Sequence, residues 1–274
     1  MLSSLISDTK SSVQFLSRIP LLLVSEELPD FQKTAHTFPL AGLIISLPAA
    51  ALLWGASSLN LPATVCALLA VTALFLTTGG LHEDGLADVA DGFGGGHNRE
   101  RKLEIMRDSA VGTYGVVSLV LSIGLKVALL THLLTLYNGG TVALILVAVT
   151  AVSRLAMLQP WAALSPARQE AEAPVKNKVA LPKEKETSGL SNRYGSPDNK
   201  TVSLGLLCSL PAALILLFTV GPWAVALSLV TAGVFIIIFT SICEKQIGGH
   251  TGDTLGATQQ LSELGLLLGL ATIY

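Results

Sequence analysis

Four carboxylates fall within nine residues of this chain: Glu83, Asp84, Asp88 and Asp91, in the stretch GGLHEDGLADVADGFGGG from Gly79 to Gly96. On a helix, Asp84, Asp88 and Asp91 stand at i, i+4 and i+7, within about 60° of one another on one face. Like charges about 6 Å apart at an effective dielectric near 20 repel by roughly 3 kcal/mol per pair. Such crowding calls for a cation. An all-oxygen donor set suits a hard divalent ion, Mg²⁺ or Mn²⁺, shared with a substrate phosphate. The alternative is a solvated acidic helix end.

Two further stretches carry groups of the same kind. HNRERKLEIMRDSAVGTYG, from His97 to Gly115, puts Arg99, Arg101, Lys102 and Arg107 close behind the acidic group. Acids for a metal beside bases for a phosphate are the means by which phosphoryl-transfer sites stabilise charge. Taken singly, each cation is better explained by the excess of Lys and Arg on cytoplasmic loops. Asp108 is a candidate ligand, and either Asp108 or Ser109 would also make a good N-cap for the helix that follows. In KQIGGHTGDTLGA, from Lys245 to Ala257, Gly248, Gly249 and Gly252 leave the backbone open ahead of a helix. N–H groups at a helix start favour an anion such as phosphate. Asp253 either caps that helix or completes the metal site. His250 is a base, a substrate contact or a solvated loop residue.

The elements that must hold these groups are membrane helices. Of 274 residues, 51% are hydrophobic and 13% charged, against about a quarter charged in an ordinary soluble domain. Runs of 18 or more nearly uncharged residues are the transmembrane signal. They predict an all-α, polytopic integral membrane bundle in a single domain. About seven spans are expected, near 38–59, 63–81, 110–136, 141–164, 201–220, 223–243 and 255–274. Residues 1–37 form a leader, read as an interfacial amphipathic helix ended by Pro20 or else as a plain solvated segment, with no signal-peptide pattern. The polar segments 82–109, 165–200 and 244–254 read as loops, the middle one flexible and rich in Pro, Lys and Glu. The three cysteines, Cys66, Cys208 and Cys243, make no CxxC pair, so neither a disulfide framework nor a zinc site is expected. The net charge of −2 says nothing about nucleic acid, and no nucleic-acid partner is expected.

Charge placement gives an orientation. The turns near Asn60, Asn138 and Gly221 hold no Lys or Arg, whereas the leader and the three polar segments hold nearly all of them. The N-terminus and the motif-bearing loops are therefore expected on the cytoplasmic side of an inner membrane. Lys126, Arg154 and Glu263 lie inside apolar runs, where ionisable groups face the bundle interior. Pairing of Glu263 with either cation is expected before any catalytic role. A cation transporter is the rival class, but it would hold its acidic site near mid-membrane.

HEDGLADVADG (His82 to Gly92), EIMRDSAVGTYG (Glu104 to Gly115) and GGHTGDTLGA (Gly248 to Ala257) resemble the signatures of the bacterial cobalamin synthase family, the adenosylcobinamide-GDP ribazoletransferases. FLSRIP (Phe15 to Pro20) and FPLAGLIIS (Phe38 to Ser46) are similar to that family's N-terminal pattern. The likeness covers nearly the whole chain, in order. It departs at 165–200, where SPARQEA (Ser165 to Ala171) stands in place of a YARPEG-like stretch. The resemblance implies attack of α-ribazole, or its 5′-phosphate, on the cobinamide-bearing phosphate of adenosylcobinamide-GDP, with Mg²⁺ required and GMP released. It implies a metal held by Asp84, Asp88 and Asp91, with Glu83, Asp108 and Asp253 as further candidates, and Arg101 and Arg107 offsetting phosphate charge. Gly248, Gly249 and His250 would meet the substrate. A homo-oligomer, or assembly with other enzymes of cobalamin synthesis, is a further expectation. DGLAD (Asp84 to Asp88) also weakly resembles the CDP-alcohol phosphotransferase motif, with Asp88 where that family has Arg.

Overall fold

The computed structural model describes residues 2–20, 31–168 and 196–272, and the described residues are helical almost throughout. Helix α1 (Leu2–Leu16) precedes a short helical turn at Phe31–Thr34 and a 3-10 turn at Ala35–Thr37. Its expected amphipathic face is docked: Val13 and Leu16 are buried, and Ser12 Oγ lies 2.7 Å from Thr37 Oγ1. The first span is two helices, α2 (Phe38–Ile45) and α3 (Leu47–Ser58). Pro48 near the start of α3 lacks the N–H that would continue α2.

The second span, α4 (Ala63–Thr78), stops at Gly79 and Gly80, both left-handed with φ of 68° and 74°. Two successive residues of that hand end a right-handed helix, and only glycine adopts the conformation without strain. The chain restarts as α5 (Leu81–Gly95), bent 89° from α4. The segment 82–109, expected to be a polar loop, is thus mostly helix: α5 is followed by α6 (Arg99–Ile105), which Asn98 caps. The sequence hides this because the seven glycines from Gly79 to Gly96 read locally as breakers.

Next come α7 (Thr113–Leu136), α8 (Gly139–Ala156) and α9 (Leu158–Ala163). After them α10 (Asn199–Cys208) and α11 (Leu210–Ile247) make a 49-residue apolar stretch. At 1.5 Å per residue a straight rod of that length would run about 74 Å, more than twice a bilayer core. Gly221, with φ 80° and ψ 169°, breaks it at the expected turn. The arms fold back, so that Leu206 and Ile236 line one cavity. Most of the 165–200 segment lies outside the described residues.

Four stretches are long and apolar enough to cross a membrane, and the bent pair α4–α5 would make a fifth. The last helix, α12 (Gly252–Ala271), is not among them. It is the bundle's axis, enclosed by α5, α7, α8 and α11, with nearly every residue buried. That enclosure admits Thr258, Gln259, Gln260, Ser262 and Glu263 to the interior. Lys126 of α7 donates to Gln260 Oε1 at 2.7 Å and lies 3.5 Å from Glu263 and 3.7 Å from Glu83. Gln259 donates to Glu263 at 2.6 Å and to Ser153 of α8 at 2.9 Å. The expected pairing of Glu263 is therefore with Lys126.

Removing one partner of a buried ion pair costs about 3–5 kcal/mol because the other charge is stranded. Lys126→Met should accordingly lower the thermal unfolding midpoint in detergent well below that of Lys245→Met, a change at an exposed position. Equal midpoints would show that the network contributes nothing.

Candidate active site

One end of the bundle gathers the C-terminal ends of α4, α9 and α11, the start of α12, and α5 lying across them. Asp84 and Asp88 sit on α5, and Asp253 on the first turn of α12. Backbone contact brings them together. A Cβ on Gly85 would lie 2.7 Å from the Asp253 carbonyl oxygen, so α5 rests directly on the start of α12. Asp84 is exposed and Asp88 half-buried. Burial first, then the charges of Asp84, Asp253 and Asp91, push Asp88 up to about 7. Burial also raises Asp253, against the Arg168 guanidinium, whose Nη2 donates to Asp253 Oδ2 at 3.1 Å.

Asp253 is not the helix cap. Thr251 is, in a reciprocal capping box with Thr254, and Thr251 Oγ1 also donates to Asp253 Oδ2 at 3.2 Å. Asp253 is thereby left inside the first turn, beside the other two carboxylates. Among the described residues, no group of three or more His, Cys, Asp or Glu side chains is arranged to hold a metal ion.

The other two acids of the stretch face elsewhere. Glu83 is buried in the interior, where Gln260 Nε2 donates to its Oε1 at 3.0 Å. Asp91 accepts the N–H of Gly112 at 2.7 Å and of Gly115 at 2.8 Å. It therefore caps α7 from 21 residues upstream. The N-cap position itself is Gly112, not Asp108 or Ser109. Side chains at Gly112 and Gly115 would strike the Asp91 carboxylate, since an added Cβ would lie 2.5 and 2.3 Å from it. Asp108 is exposed and accepts from the Ala110 N–H of its own turn at 3.0 Å.

The basic residues divide as well. Arg101 pairs with Glu104 at 2.7 Å on the exposed side of α6. Arg99 donates to the carbonyls of Ile247 at 2.8 Å and Ala167 at 2.5 Å, tying α6 to the end of α11. Arg107, Arg99 and Arg168 line a cavity of about 330 Å³. Arg168 was missed from the sequence. It lies in SPARQEA, the segment that departs from the family pattern, and the Ala-Arg pair there was its one signal.

Gly248 closes α11 in the left-handed conformation. The backbone of Gly249 abuts the Ser165 carbonyl, with an added Cβ only 2.1 Å away. His250, expected in solvent or against substrate, is buried. Its N–H donates to Ser165 O at 2.9 Å and its carbonyl accepts from Ala167 at 2.8 Å. Burial lowers the imidazole to about 4, and neither ring nitrogen has a hydrogen-bond partner among the described residues. The 248–250 turn thus docks the chain that delivers Arg168.

Fold and site together define a polytopic helical membrane protein with a carboxylate–arginine centre at one end of its bundle. The chain belongs to the cobalamin-5-phosphate synthase family, whose model matches residues 8–271. A protein named adenosylcobinamide-GDP ribazoletransferase from Sinorhizobium medicae (strain WSM419) is 42% identical over 280 residues, covering 96% of this chain and 95% of its own. Proteins of the same name from Rhizobium meliloti (strain 1021) and Brucella anthropi are each 41% identical, over 96% and 98% of this chain. No solved structure matches.

Loss of a helix cap costs about 0.5–2 kcal/mol. Asp91→Ala should therefore lower the unfolding midpoint without any added metal, whereas Asp84→Asn, at an exposed carboxylate, should leave it unchanged. An unchanged midpoint in Asp91→Ala would show that the Gly112 and Gly115 bonds do not hold α7.

Proposed function

We propose that this chain is an adenosylcobinamide-GDP ribazoletransferase of the cytoplasmic membrane. The 5′-hydroxyl of α-ribazole, or of its 5′-phosphate, attacks the phosphorus that bears the cobinamide. A new O–P bond forms, the bridging P–O bond to GMP breaks, and adenosylcobalamin or its 5′-phosphate results. The observation that supports this beyond kinship is the juxtaposition of Asp84, Asp88 and Asp253, with Asp88 raised to about 7 by burial first and then by the charges of its neighbours. Carboxylates that so disfavour one another's charge provide a site for a cation.

The donor chemistry fits Mg²⁺, which binds through one or two carboxylates plus substrate phosphates rather than in an all-protein cage. Asp84 and Asp88, with Asp253 beside them, would hold it. When bound, the ion would offset charge developing on the diphosphate. Arg168 positions Asp253 and presents a second cation to the substrate. An ionised carboxylate of the cluster receives the proton of the attacking hydroxyl. The excess of Lys and Arg on the loops at this end supports a cytoplasmic placement, where a guanosine diphosphate derivative is available.

Purified protein given adenosylcobinamide-GDP and α-ribazole should release GMP and form cobalamin only with Mg²⁺. Asp84→Asn and Asp88→Asn should each lower turnover by roughly a thousandfold with the protein still inserted. Turnover of a CDP-linked lipid and an alcohol in place of these substrates would overturn the reading. The pH dependence has a definite sign. Mg²⁺ binds the ionised form of Asp88, and protons compete below about 7. The Mg²⁺ concentration for half-maximal rate should therefore rise up to tenfold for each pH unit below 7 and level off above it. A flat dependence from pH 5.5 to 8 would remove Asp88 from the metal site.

A further inference from the structure

Asp84 stands where two cavities meet. The smaller, of about 160 Å³, has an aromatic wall of Phe15, Phe31, Phe38 and Trp161, with Asp84 and Asp253 at its polar edge. The rings come from four separate stretches of chain. Their centroids lie 4.1 Å apart for Phe15–Phe31, 6.3 Å for Phe15–Phe38 and 6.2 Å for Phe38–Trp161. His82 lines the same cavity, buried, and its Nε2 has no hydrogen-bond partner among the described residues. The larger cavity, of about 740 Å³, is bordered by Arg18, Phe75 and the Gly79–Gly80 turn.

We propose that the smaller cavity is the subsite for the base of the acceptor nucleoside, an apolar fused two-ring aromatic, and that it delivers the ribose 5′-hydroxyl to Asp84 and Asp253. This rests on the transfer reaction proposed above. Size is the first reason: a two-ring base suits the space, and a corrin macrocycle with its amide side chains does not. Chemistry is the second. A benzimidazole nucleoside has one free ring nitrogen, which the buried, unpartnered Nε2 of His82 can satisfy. Guanine brings several donors and acceptors that an aromatic wall would leave unpaired, a costly burial. The third reason is direction. Phosphoryl transfer needs the attacking and leaving oxygens roughly in line. Two cavities meeting at Asp84 let acceptor and donor come from different sides, the bulky donor by way of Arg18.

The test uses full-length protein in nanodiscs with Trp54→Phe and Trp223→Phe. These two positions are 59% and 84% exposed and take no part in the site. Trp161 is then the one tryptophan left of three. Added α-ribazole, without donor or Mg²⁺, should quench Trp161 emission saturably, and GMP should not. Stacking on an aromatic ring is worth enough that Phe38→Leu or Phe15→Leu should raise the dissociation constant roughly tenfold. The same variants should raise KM for α-ribazole while KM for the donor stays within twofold. Phe15 is only half-buried, so Phe15→Leu keeps the test open if Phe38→Leu misfolds. Absent quenching, quenching by GMP instead, or a change confined to donor KM would overturn the subsite. Quenching without any transfer would leave the subsite standing and refute the reaction. Normal transfer with unmoved ribazole KM would do the reverse.

Discussion

Asp84, Asp88 and Asp253 repel one another, and yet α5 and α12 approach until Gly85 touches the backbone of Asp253. Within a bilayer, apolar side chains gain little by leaving lipid, so helices associate through close packing and interhelical hydrogen bonds. Both are supplied inside the bundle. Glu83 is the immediate neighbour of Asp84, and it is held by Gln260 of α12 and stands near Lys126 of α7. Consecutive residues on α5 thus have opposite tasks: Glu83 faces inward and clamps the helix, while Asp84 is exposed where repulsion would otherwise push the helix away. The clamp acts from one residue away, which keeps the acidic edge firm while its charges remain unbalanced.

The same logic accounts for α12. A helix carrying two glutamines and a glutamate over five residues would be a poor lipid-facing span. Enclosed by four other helices, those groups become the hydrogen-bonding means by which α5, α7 and α8 are held in register. The axis of the bundle is polar because the bundle's job is to fix its end.

Several features could be read from the sequence, and each had a local cause. Apolar runs gave the spans as far as α11 but also predicted one over 255–274, where α12 is instead an enclosed axis; Asn60-Leu61-Pro62 and Gly221-Pro222 gave turns. The i, i+4, i+7 spacing put three aspartates on one helix face. What the spacing could not give was the partner of each aspartate. Asp91 shares that face, yet its oxygens take the Gly112 and Gly115 N–H groups. A cap supplied from 21 residues upstream leaves no pattern in a local window; the trace it leaves is two glycines where a side chain would strike it. Arg168 was hidden for another reason. Its segment departs from the family pattern, and its position is set by the Gly249 and His250 backbone, more than 80 residues later. His250 read equally as a base, a substrate contact or a solvated loop residue; the structure buries it and uses its backbone, through Ser165 and Ala167, to dock the turn.

The two sets of charge in this protein differ in balance, and the difference separates an enzyme site from an ion path. In the interior, Lys126 and Arg154 lie within electrostatic reach of Glu83 and Glu263, two cations facing two anions. A neutral set of that kind can stay dry and has no reason to recruit a passing ion. At the bundle end, among the described residues, the three carboxylates have the Arg168 guanidinium as their near cation. An unbalanced set must be solvated or must take a cation from outside, and exposed Asp84 leaves it open to do so. Transport would require the unbalanced charge at mid-membrane and the balanced charge at the rim. The arrangement here is the inverse, and it suits chemistry on a phosphate arriving at the membrane surface with its reacting partner.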